Sequence, residues 1–306
     1  MIIKSPIDLD LTQGSGQTSQ PPWDRNGDVY SNVVLVDGKP VIFNVRQSGD
    51  YLDYSYSGDI SDRQAQECLN YIFDLNFDLD NFYSYLGEHD ELKDMSRFCS
   101  GLRLFLAPDP FECVISSICS ANNSIKRWTK SVLQIKQNWG NSFDNYYTFP
   151  QSSDLAKIYL DEEEEFNLSD IHDIELCNNN LKNCGVGYRA PYMRKASELF
   201  TLEMDLSEIY KMSYDEAFET VMEVPGVGPK VADCILLYGF NFRQAFPSDV
   251  WIKRIVSYLY FDGKDISVPK VREFGMEEFG ENAGYVQLYL FHYARKSGLM
   301  EKIKKL

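Results

Sequence analysis

Residues 24–58 alternate short runs of apolar and β-branched positions with turn signals. The runs VYSNVVLV, KPVIFNV and YLDYSYSG are separated by turns such as Asp37-Gly38-Lys39-Pro40. Runs of this length and composition are typical of β-strands, and tight turns between them join antiparallel neighbours. This segment therefore predicts an antiparallel sheet.

From about residue 63 onward, apolar positions recur at spacings of three and four, which indicates amphipathic helices. Helices are predicted over residues 63–74, 110–120, 123–137, 192–201, 213–223, 229–239, 249–259 and 282–297. The predicted fold class is α+β, with an N-terminal antiparallel sheet domain followed by a larger helical body. We expect the first domain to span residues 1–108, including helical segments that lead into the body, and the second to span residues 109–306.

The composition is typical of a folded intracellular protein. The chain has 306 residues, of which 44% are hydrophobic, enough for a substantial core. The opening MIIKSPIDLD carries charge where a secretory signal needs an apolar stretch, and no run approaches the ~20 apolar residues of a membrane span. We expect an intracellular location, no membrane contact and a monomer.

Neither disulfides nor a zinc site is expected. The cysteines are odd in number and form no C-x-x-C pair, at positions 68, 99, 113, 119, 177, 184 and 234. Such usage suits a reducing compartment. The three histidines are isolated along the chain, which argues against a zinc site.

The net charge argues against nucleic acid as a partner, but its distribution does not. The formal net charge is −16, and a phosphate backbone repels an acidic surface. Basic residues concentrate in residues 122–147 and 181–195, namely Lys126, Arg127, Lys130, Lys136, Lys182, Arg189, Arg194 and Lys195. Acids concentrate in residues 50–94 and in the DEEEE run at 161–165, which is interpreted as a solvated loop. A protein with a basic face and an acidic back can bind DNA.

Residues 213–230 predict a helix–hairpin–helix. Ser213 and Glu216 have the spacing of a capping box at the start of the first helix. A Pro-Gly-Val-Gly turn ends that helix, and Pro229 begins the second one at a position where proline is tolerated. The turn residues Gly226, Val227 and Gly228 can present backbone N–H groups at a helix N-terminus, which favours binding of a DNA phosphate.

Lys230 and Asp249 are the candidate catalytic residues. Lys230 lies in the first turn of the second hairpin helix, where the helix dipole is expected to lower the pKa of its amine and favour the nucleophilic neutral form. Asp249 follows nineteen residues later as a predicted N-cap and can return to the lysine across the intervening helix and loop. In isolation, a solvent-exposed lysine and a simple helix cap are the more common interpretations.

At these residues the sequence resembles a known family. The segment VPGVGPKVADCILLYGF followed by FPSDV is similar to the catalytic core of the helix–hairpin–helix glycosylase superfamily, in particular of the 8-oxoguanine DNA glycosylases. The segments ICSANNSIKR, CGVGYRAPY, YVQLYLF and, more weakly, SGQ extend the similarity across nearly the whole chain. The resemblance implies an enzyme of base excision repair that is both glycosylase and lyase and that acts on double-stranded DNA containing oxidised guanine.

The same resemblance implies that no cofactor is required. One group of related glycosylases carries a four-cysteine iron–sulfur cluster after the catalytic region. No cysteine follows Cys234 in this chain, so that cluster cannot form there. A further departure is Trp251, which stands where the family commonly has a histidine that contacts a phosphate.

The resemblance assigns a chemical role to each catalytic residue. Lys230 would attack the sugar C1′ of the damaged nucleotide, and Asp249 would stabilise the positive charge that develops as the base leaves. A base stacked in duplex DNA cannot be reached, so the nucleotide must be flipped into a pocket.

Four residues are implied to form that pocket. Gln287 would read the polar edge of the base, Phe291 would stack on it and Cys234 would form the other wall. Gly16 would offer its carbonyl to the N7 hydrogen of oxidised guanine, although TSQPPW follows it in place of the family's aromatic residue and arginine. From the residues alone, Gln287 and Phe291 also fit an amphipathic helix, and Cys234 fits a small buried hydrophobic position.

Four further residues are implied to act where the flipped nucleotide leaves a gap in the duplex. Asn122, Arg127 and Arg189 occupy the positions that read the unpaired cytosine, and Tyr188 occupies the position of a side chain that wedges into the gap. Forked donors on arginine and asparagine suit the acceptors of cytosine. Plain phosphate contacts, or a core position for Tyr188, are the alternatives.

Two other functions fit parts of the sequence. The chain could be a superfamily member for another damaged base, although thymine glycol glycosylases usually carry the missing cluster and alkylpurine glycosylases lack the lysine. A helix–hairpin–helix can also be only a DNA-binding module, as in ligases, polymerases and nucleases. The combination of Lys230 and Asp249 argues against the second function.

Overall fold

The computed structural model describes residues 1–158 and 180–303. The DEEEE run at 161–165, interpreted above as a solvated loop, lies outside the described residues, as does Cys177. Within the described ranges, an antiparallel sheet is followed by a helical body, which confirms the predicted α+β class.

Five antiparallel strands form the N-terminal sheet in the order β1-β5-β4-β3-β2. Their bounds are Ile2–Lys4 (β1), Asp24–Asn26 (β2), Val29–Val36 (β3), Lys39–Ser48 (β4) and Tyr51–Ser57 (β5). Strands β3 and β4 meet at a tight turn in which Asp37 and Gly38 both have positive φ, as such hairpin turns require. The three longer strands coincide with the three predicted runs. Strand β1 was not predicted, because three residues are too few to show a period.

All the predicted helices are present, with ends that differ by a few residues. They span Asp62–Ile72, Pro110–Ser120, Ile125–Trp139, Ala190–Leu202, Tyr214–Met222, Pro229–Phe240, Val250–Tyr260 and Ala283–Lys296.

Shorter elements and one longer helix were not predicted. The additional α-helices span Leu9–Gly14, Leu79–Gly87, Met95–Phe98, Ser152–Leu155, Leu206–Ile209, Val268–Phe279 and Leu299–Ile303. Single 3-10 turns cover Leu181–Cys184, Gly187–Arg189 and Gly280–Asn282, and Ser142–Phe143 pairs with Tyr146–Tyr147 (β6 and β7).

The helix Pro229–Phe240 lies at the centre of the body. Every residue from Val231 to Phe240 is buried, and the helix packs against Pro110–Ser120. A side chain at Gly239 would meet Cys113 of that neighbour at 3.3 Å, so the small residue permits the close approach. Burial on all sides leaves only the first turn of this helix, which contains Lys230, at a surface.

Two groups of buried side chains form the core. The smaller lies between the sheet and the helix Asp62–Ile72 and includes Val41, Phe43 and Leu69. The larger runs from Leu79 to Leu299 through the helical body. The proposed boundary between residues 108 and 109 stays a prediction. In the part of the chain that the structure describes, no helix is long and apolar enough to cross a membrane.

Candidate active site

The predicted helix–hairpin–helix is present, with the capping box at its start. The Ser213 hydroxyl accepts from the backbone N–H of Glu216, and the Glu216 carboxylate accepts from that of Ser213 at 2.9 Å. Gly226 has φ +84°, in the left-handed region that favours glycine, and Gly228 is the extended N-cap of the second helix. The turn thus ends at the N-terminus of the helix that holds Lys230.

A buried ion pair fixes the two hairpin helices to a third helix. The Asp233 carboxylate, which is fully buried, accepts from Arg272 Nε at 2.7 Å and from the Tyr214 hydroxyl. Arg272 Nη2 also donates to the Tyr214 hydroxyl at 2.6 Å. Because Tyr214 belongs to the first hairpin helix and Arg272 to Val268–Phe279, this contact holds the N-terminal half of the second hairpin helix in place.

Lys230 lies beside Cys234, one turn along the same helix. Burial alone would lower the pKa of Lys230, but the neighbouring Cys234, Asp249 and Asp233 outweigh it, and the pKa lies above its usual value. Burial raises the pKa of the Cys234 thiol, and Lys230 and the Thr18 hydroxyl oppose that rise. The net pKa of Lys230 in the DNA-free protein therefore lies above its usual value, because these neighbours outweigh burial. The contribution expected from the helix dipole stays a prediction.

Asp249 is the N-cap of the helix Val250–Tyr260, as predicted. Its Oδ1 accepts the backbone N–H groups of Trp251 at 2.8 Å and Ile252 at 2.9 Å. No other hydrogen bond engages the carboxylate among the described residues, so Oδ2 is available. The cap fixes the side chain where it faces Lys230, and both residues line one small cavity.

That cavity has a volume of about 70 Å³ and brings the predicted base-pocket residues together. Its wall includes Gly16, Cys234, Gln287 and Phe291 as well as Lys230 and Asp249. It opens into a wider cleft of about 1020 Å³, which Gly16, Lys230, Asp249 and Phe291 also line. The structure thus gathers residues from both ends of the chain around the candidate nucleophile.

Gly16 is required by its backbone conformation. It has φ +87°, and a side chain there would come within 2.3 Å of Ile125. The neighbouring Gln17 anchors the segment, because its amide donates to the Arg103 carbonyl and accepts from Phe105 N, at 2.9 and 2.8 Å. Within the described residues no group donates to the Gly16 carbonyl oxygen.

Gln287 presents an unpaired acceptor inside the cavity wall. Its Nε2 donates to the Pro247 carbonyl at 3.1 Å, whereas its buried Oε1 has no partner among the described groups. A buried polar atom without a partner is unfavourable unless a ligand supplies one. Phe291, four residues along the same helix, is half-buried beside it.

A second cluster contains Asn122, Tyr188 and Arg189. The Arg189 guanidinium donates to the carbonyls of Ala121 and Asn122 and lies 4.4 Å from the Tyr188 ring centroid. Tyr188 is 60% exposed, which is unusual for an aromatic side chain. A core position for this tyrosine is therefore wrong. Arg127 is exposed on the next helix and does not line the cleft.

The predicted basic face is smaller than the sequence suggested. Lys136 is buried and lies 3.4 Å from Glu112, and Arg194 lies 3.5 Å from Glu198. Neither side chain is therefore free to face a phosphate. Exposed positions remain at Lys126, Arg127, Lys130 and Lys195.

Sequence reasoning missed several residues around the cavity. Thr18 lines it, and its hydroxyl lies 3.0 Å from that of Ser117. Arg295 lines the wider cleft, and its guanidinium lies 5.1 Å from the Phe291 ring centroid. Arg295 follows Phe291 by four positions, so helical spacing was the available signal.

Trp251 is exposed beside Asp249 and lines the same cleft. The Arg254 guanidinium lies 5.4 Å from its ring centroid. A cation is therefore present near the position where the family commonly has a histidine.

Nothing in residues 1–158 and 180–303 groups three or more histidine, cysteine or acidic side chains in an arrangement that could hold a metal ion. The expectation that no cofactor is required stays a prediction.

Comparison with known proteins relates both parts of the chain to DNA repair. Residues 1–114 match the model of the 8-oxoguanine DNA glycosylase N-terminal domain, and residues 115–281 match that of the HhH-GPD superfamily base excision DNA repair proteins. A probable N-glycosylase/DNA lyase of Methanothermobacter thermautotrophicus is 44% identical, over 98% of this chain and 97% of the relative. The N-glycosylase/DNA lyase of Saccharomyces cerevisiae is 28% identical, over 85% of this chain and 70% of the relative.

A solved structure has the same fold over nearly the full length. The Clostridium acetobutylicum 8-oxoguanine glycosylase/lyase, in complex with double-stranded DNA containing cytosine opposite 8-oxoguanine, is 28% identical. It covers 97% of this chain and 98% of its own, with a TM-score of 0.77. The chain belongs to the HhH-GPD superfamily of base excision DNA repair proteins, with the N-terminal domain of the 8-oxoguanine DNA glycosylases.

Proposed function

We propose that the protein is a bifunctional DNA glycosylase and AP lyase that excises 8-oxoguanine from double-stranded DNA. One observation carries the proposal: Lys230 and Asp249 meet at a cavity whose wall also contains Gly16, Gln287 and Phe291. An amine, a carboxylate, an aromatic ring and unpaired acceptors are the groups that base excision by nucleophilic attack requires. The names of the relatives support the same activity.

In the first step, the neutral Lys230 amine attacks C1′ of the flipped nucleotide. A bond forms between Nζ and C1′, and the bond between C1′ and N9 breaks, so that its electron pair leaves with the base. Positive charge develops on the sugar as the base departs, and the carboxylate of Asp249 stabilises it. The departing base takes up a proton at its nitrogen.

In the second step, the sugar ring opens and the Lys230 adduct becomes a Schiff base. Its positive charge acidifies the proton at C2′, and a base removes that proton. The bond between C3′ and O3′ then breaks, with the electron pair leaving on the phosphate oxygen. This β-elimination nicks the strand, and water later releases the lysine.

Lesion recognition uses the two unpaired acceptors of the cavity. The Gly16 carbonyl accepts the N7 hydrogen that oxidised guanine has and guanine lacks, and Gln287 reads the polar edge of the base. Phe291 stacks on one face and Cys234 forms the other wall. Opposite the lesion, Asn122, Arg127 and Arg189 read the cytosine while Tyr188 fills the gap.

The hairpin binds the DNA backbone. The N–H groups of Gly226 and Gly228 bind a phosphate at the N-terminus of the helix that contains Lys230. The N–H of Val227, between them, donates to the Val224 carbonyl at 3.0 Å. An acidic protein thereby holds DNA with few lysines. The substrate would put the protein at DNA inside the cell. The proposed form is a monomer that needs no cofactor, and excision is expected to persist in a metal chelator.

The test is covalent trapping with borohydride, which reduces a Schiff base to a stable adduct. Duplexes containing 8-oxoguanine, thymine glycol or undamaged guanine are incubated with the protein, with Lys230→Gln and with Lys211→Gln. Lys211 is an exposed lysine paired with Glu208 and serves as the matched control. We expect an adduct with the 8-oxoguanine duplex alone, lost in Lys230→Gln and kept in Lys211→Gln.

Other outcomes would favour the alternatives. An adduct with thymine glycol instead would indicate a glycosylase for another damaged base. DNA binding without adduct or base release on any duplex would indicate a binding module. Base release by Lys230→Gln at the wild-type rate would contradict the covalent role of the lysine.

A further inference from the structure

Arg295 contacts two residues of the base-cavity wall and lines the wider cleft. Its Nη1 donates to the Ser15 carbonyl at 3.3 Å, and its guanidinium lies 5.1 Å from the Phe291 ring centroid. Ser15 and Phe291 both line the cavity, from opposite ends of the chain. One side chain therefore links the segment next to Gly16 with the ring that closes the pocket.

The charge of Arg295 is not neutralised in the DNA-free protein. Burial is the one cause that shifts the pKa of Arg295, which it lowers, and no carboxylate raises it. The guanidinium still remains charged at physiological pH. Among the residues that line the wide cleft, Lys230 and Arg295 are the cations and Asp249 is the acid. A phosphate entering this cleft thus meets a guanidinium with which no carboxylate of the described residues forms an ion pair.

The cavity is closed in this state. Its volume of about 70 Å³ has room for about two water molecules, which is too little for a purine base. The wall near Gly16 is anchored by the two hydrogen bonds of Gln17 to Arg103 and Phe105. Phe291 is half-buried, and it carries the large side chain among the half-buried residues of the wall that are not in the candidate catalytic pair. We therefore expect a base to enter by displacing its ring.

We propose that Arg295 binds a DNA backbone phosphate beside the flipped nucleotide and, in doing so, releases Ser15 and Phe291 so that the pocket opens on DNA. The inference rests on the proposed function, because the pocket occupant is the excised base. The guanidinium would exchange its hydrogen bond to the Ser15 carbonyl for one to a phosphate, because its hydrogen bonds to phosphate are the stronger ones. Opening of the base pocket is thereby coupled to binding of the DNA backbone.

A structural role at the helix end is the competing explanation. Arg295 and Lys296 both lie in the last turn of Ala283–Lys296, where cations interact favourably with the helix dipole. Lys296 lies in the same turn and is likewise exposed, but it does not line the cleft. Lys296→Met is therefore the matched control for Arg295→Met.

The first measurement is the affinity for an undamaged duplex as a function of salt. Loss of one phosphate contact lowers the slope of log K against log salt by about 1. We expect this change in Arg295→Met, while Lys296→Met keeps the wild-type slope and Arg295→Lys, which retains the cation, keeps it too. Equal slopes for Arg295→Met and Lys296→Met would overturn the phosphate contact.

The second measurement is binding of the free 8-oxoguanine base to the DNA-free protein by calorimetry. Both Arg295→Met and Arg295→Lys remove the guanidinium from the Phe291 ring, so both should bind the base more tightly than the wild type and Lys296→Met. Unchanged affinity would overturn the coupling to pocket opening. The salt measurement uses undamaged DNA and so judges the phosphate contact even if the wild-type protein fails to excise 8-oxoguanine. If the wild-type protein excises 8-oxoguanine but Arg295→Met keeps the wild-type salt slope, the phosphate contact of Arg295 is contradicted while the proposed function stands.

Discussion

The side chain of Tyr192 packs directly on Gly226 of the hairpin turn. A methyl group at position 226 would come within 2.7 Å of Tyr192 Cβ, and the glycine has φ +84°. At Gly228, two residues later, a methyl group would meet no protein atom within 4 Å, and the backbone is extended. The two glycines of one turn are therefore required for different reasons.

Gly226→Ala should destabilise the fold, and Gly228→Ala should weaken DNA binding. Alanine at 226 is strained and clashes, so the free energy of unfolding should fall by about 1–3 kcal/mol. Alanine at 228 is tolerated by the protein, but its methyl group would occupy the space where a phosphate approaches the N–H groups. Urea unfolding and duplex binding, measured on both variants, check this. A Gly228→Ala protein with wild-type affinity would contradict the phosphate role of the turn.

Arg189→Ala should relax the preference for cytosine opposite the lesion. The buried guanidinium is held by the Ala121, Asn122 and Val186 carbonyls and by the Tyr188 ring, so its position is fixed before DNA binds. Loss of a forked pair to a base is worth about 1–3 kcal/mol, which corresponds to a loss of discrimination on the order of 10-fold. Single-turnover excision from duplexes with each opposite base measures it.

Arg194→Ala is the matched control for that experiment, because Arg194 lies near Glu198 on the following helix. Its opposite-base preference should equal that of the wild type. An unchanged preference in Arg189→Ala, with its fold intact, would leave this arginine with a structural role only.

Cys234→Ala should move the pH dependence of excision to lower pH. Attack requires the neutral amine, so the rate rises with pH up to the pKa of Lys230, which its acidic neighbours hold above the usual value. Removing Cys234 removes one of the groups that raise this pKa, while Asp249 and Asp233 remain. The rising limb of the single-turnover rate should therefore begin at lower pH.

Cys99→Ala is the control, because Cys99 is equally buried but does not line the cavity. Its rising limb should coincide with that of the wild type. The pH at which the rate rises does not depend on the maximal rate, so the pKa of Lys230 can be compared even if Cys234→Ala is a slower enzyme. Coincident limbs for all three proteins would show that Cys234 does not influence the lysine.

Arg272→Met should destabilise the protein more than Arg272→Met combined with Asp233→Asn. The single change leaves the Asp233 carboxylate buried without its cation, and such a loss lowers the free energy of unfolding by about 3–5 kcal/mol. The double change leaves no buried charge, so part of the stability returns. Burial raises the pKa of Asp233 even in the wild type, so protonation favours the folded state and the loss in the single variant should shrink as pH falls. A double variant no more stable than Arg272→Met in urea unfolding would contradict a direct ion pair.

Much of the fold could be predicted because its signals are local. The three long strands, the hairpin and the Asp249 cap are each encoded by a few adjacent residues, through period, turn chemistry or capping. Strand β1 was missed because it is short. The helix Val268–Phe279 was missed although Ser267 caps it and Val271, Gly275 and Phe279 form its buried face, because one position of that face is a glycine, which adds nothing to the apolar pattern. The candidate catalytic pair was found because both members lie in or near one motif.

By itself, the sequence determined the α+β class, the hairpin and the identity of the candidate nucleophile and carboxylate. Tertiary structure decided that Ser15 and Arg295, separated by 280 positions, meet beside the cavity, and that Lys136 is buried against Glu112 rather than facing a partner. It also decided the direction of the Lys230 pKa. These properties depend on which distant groups pack together and exclude water, and neither packing nor exclusion of water is encoded in any local segment.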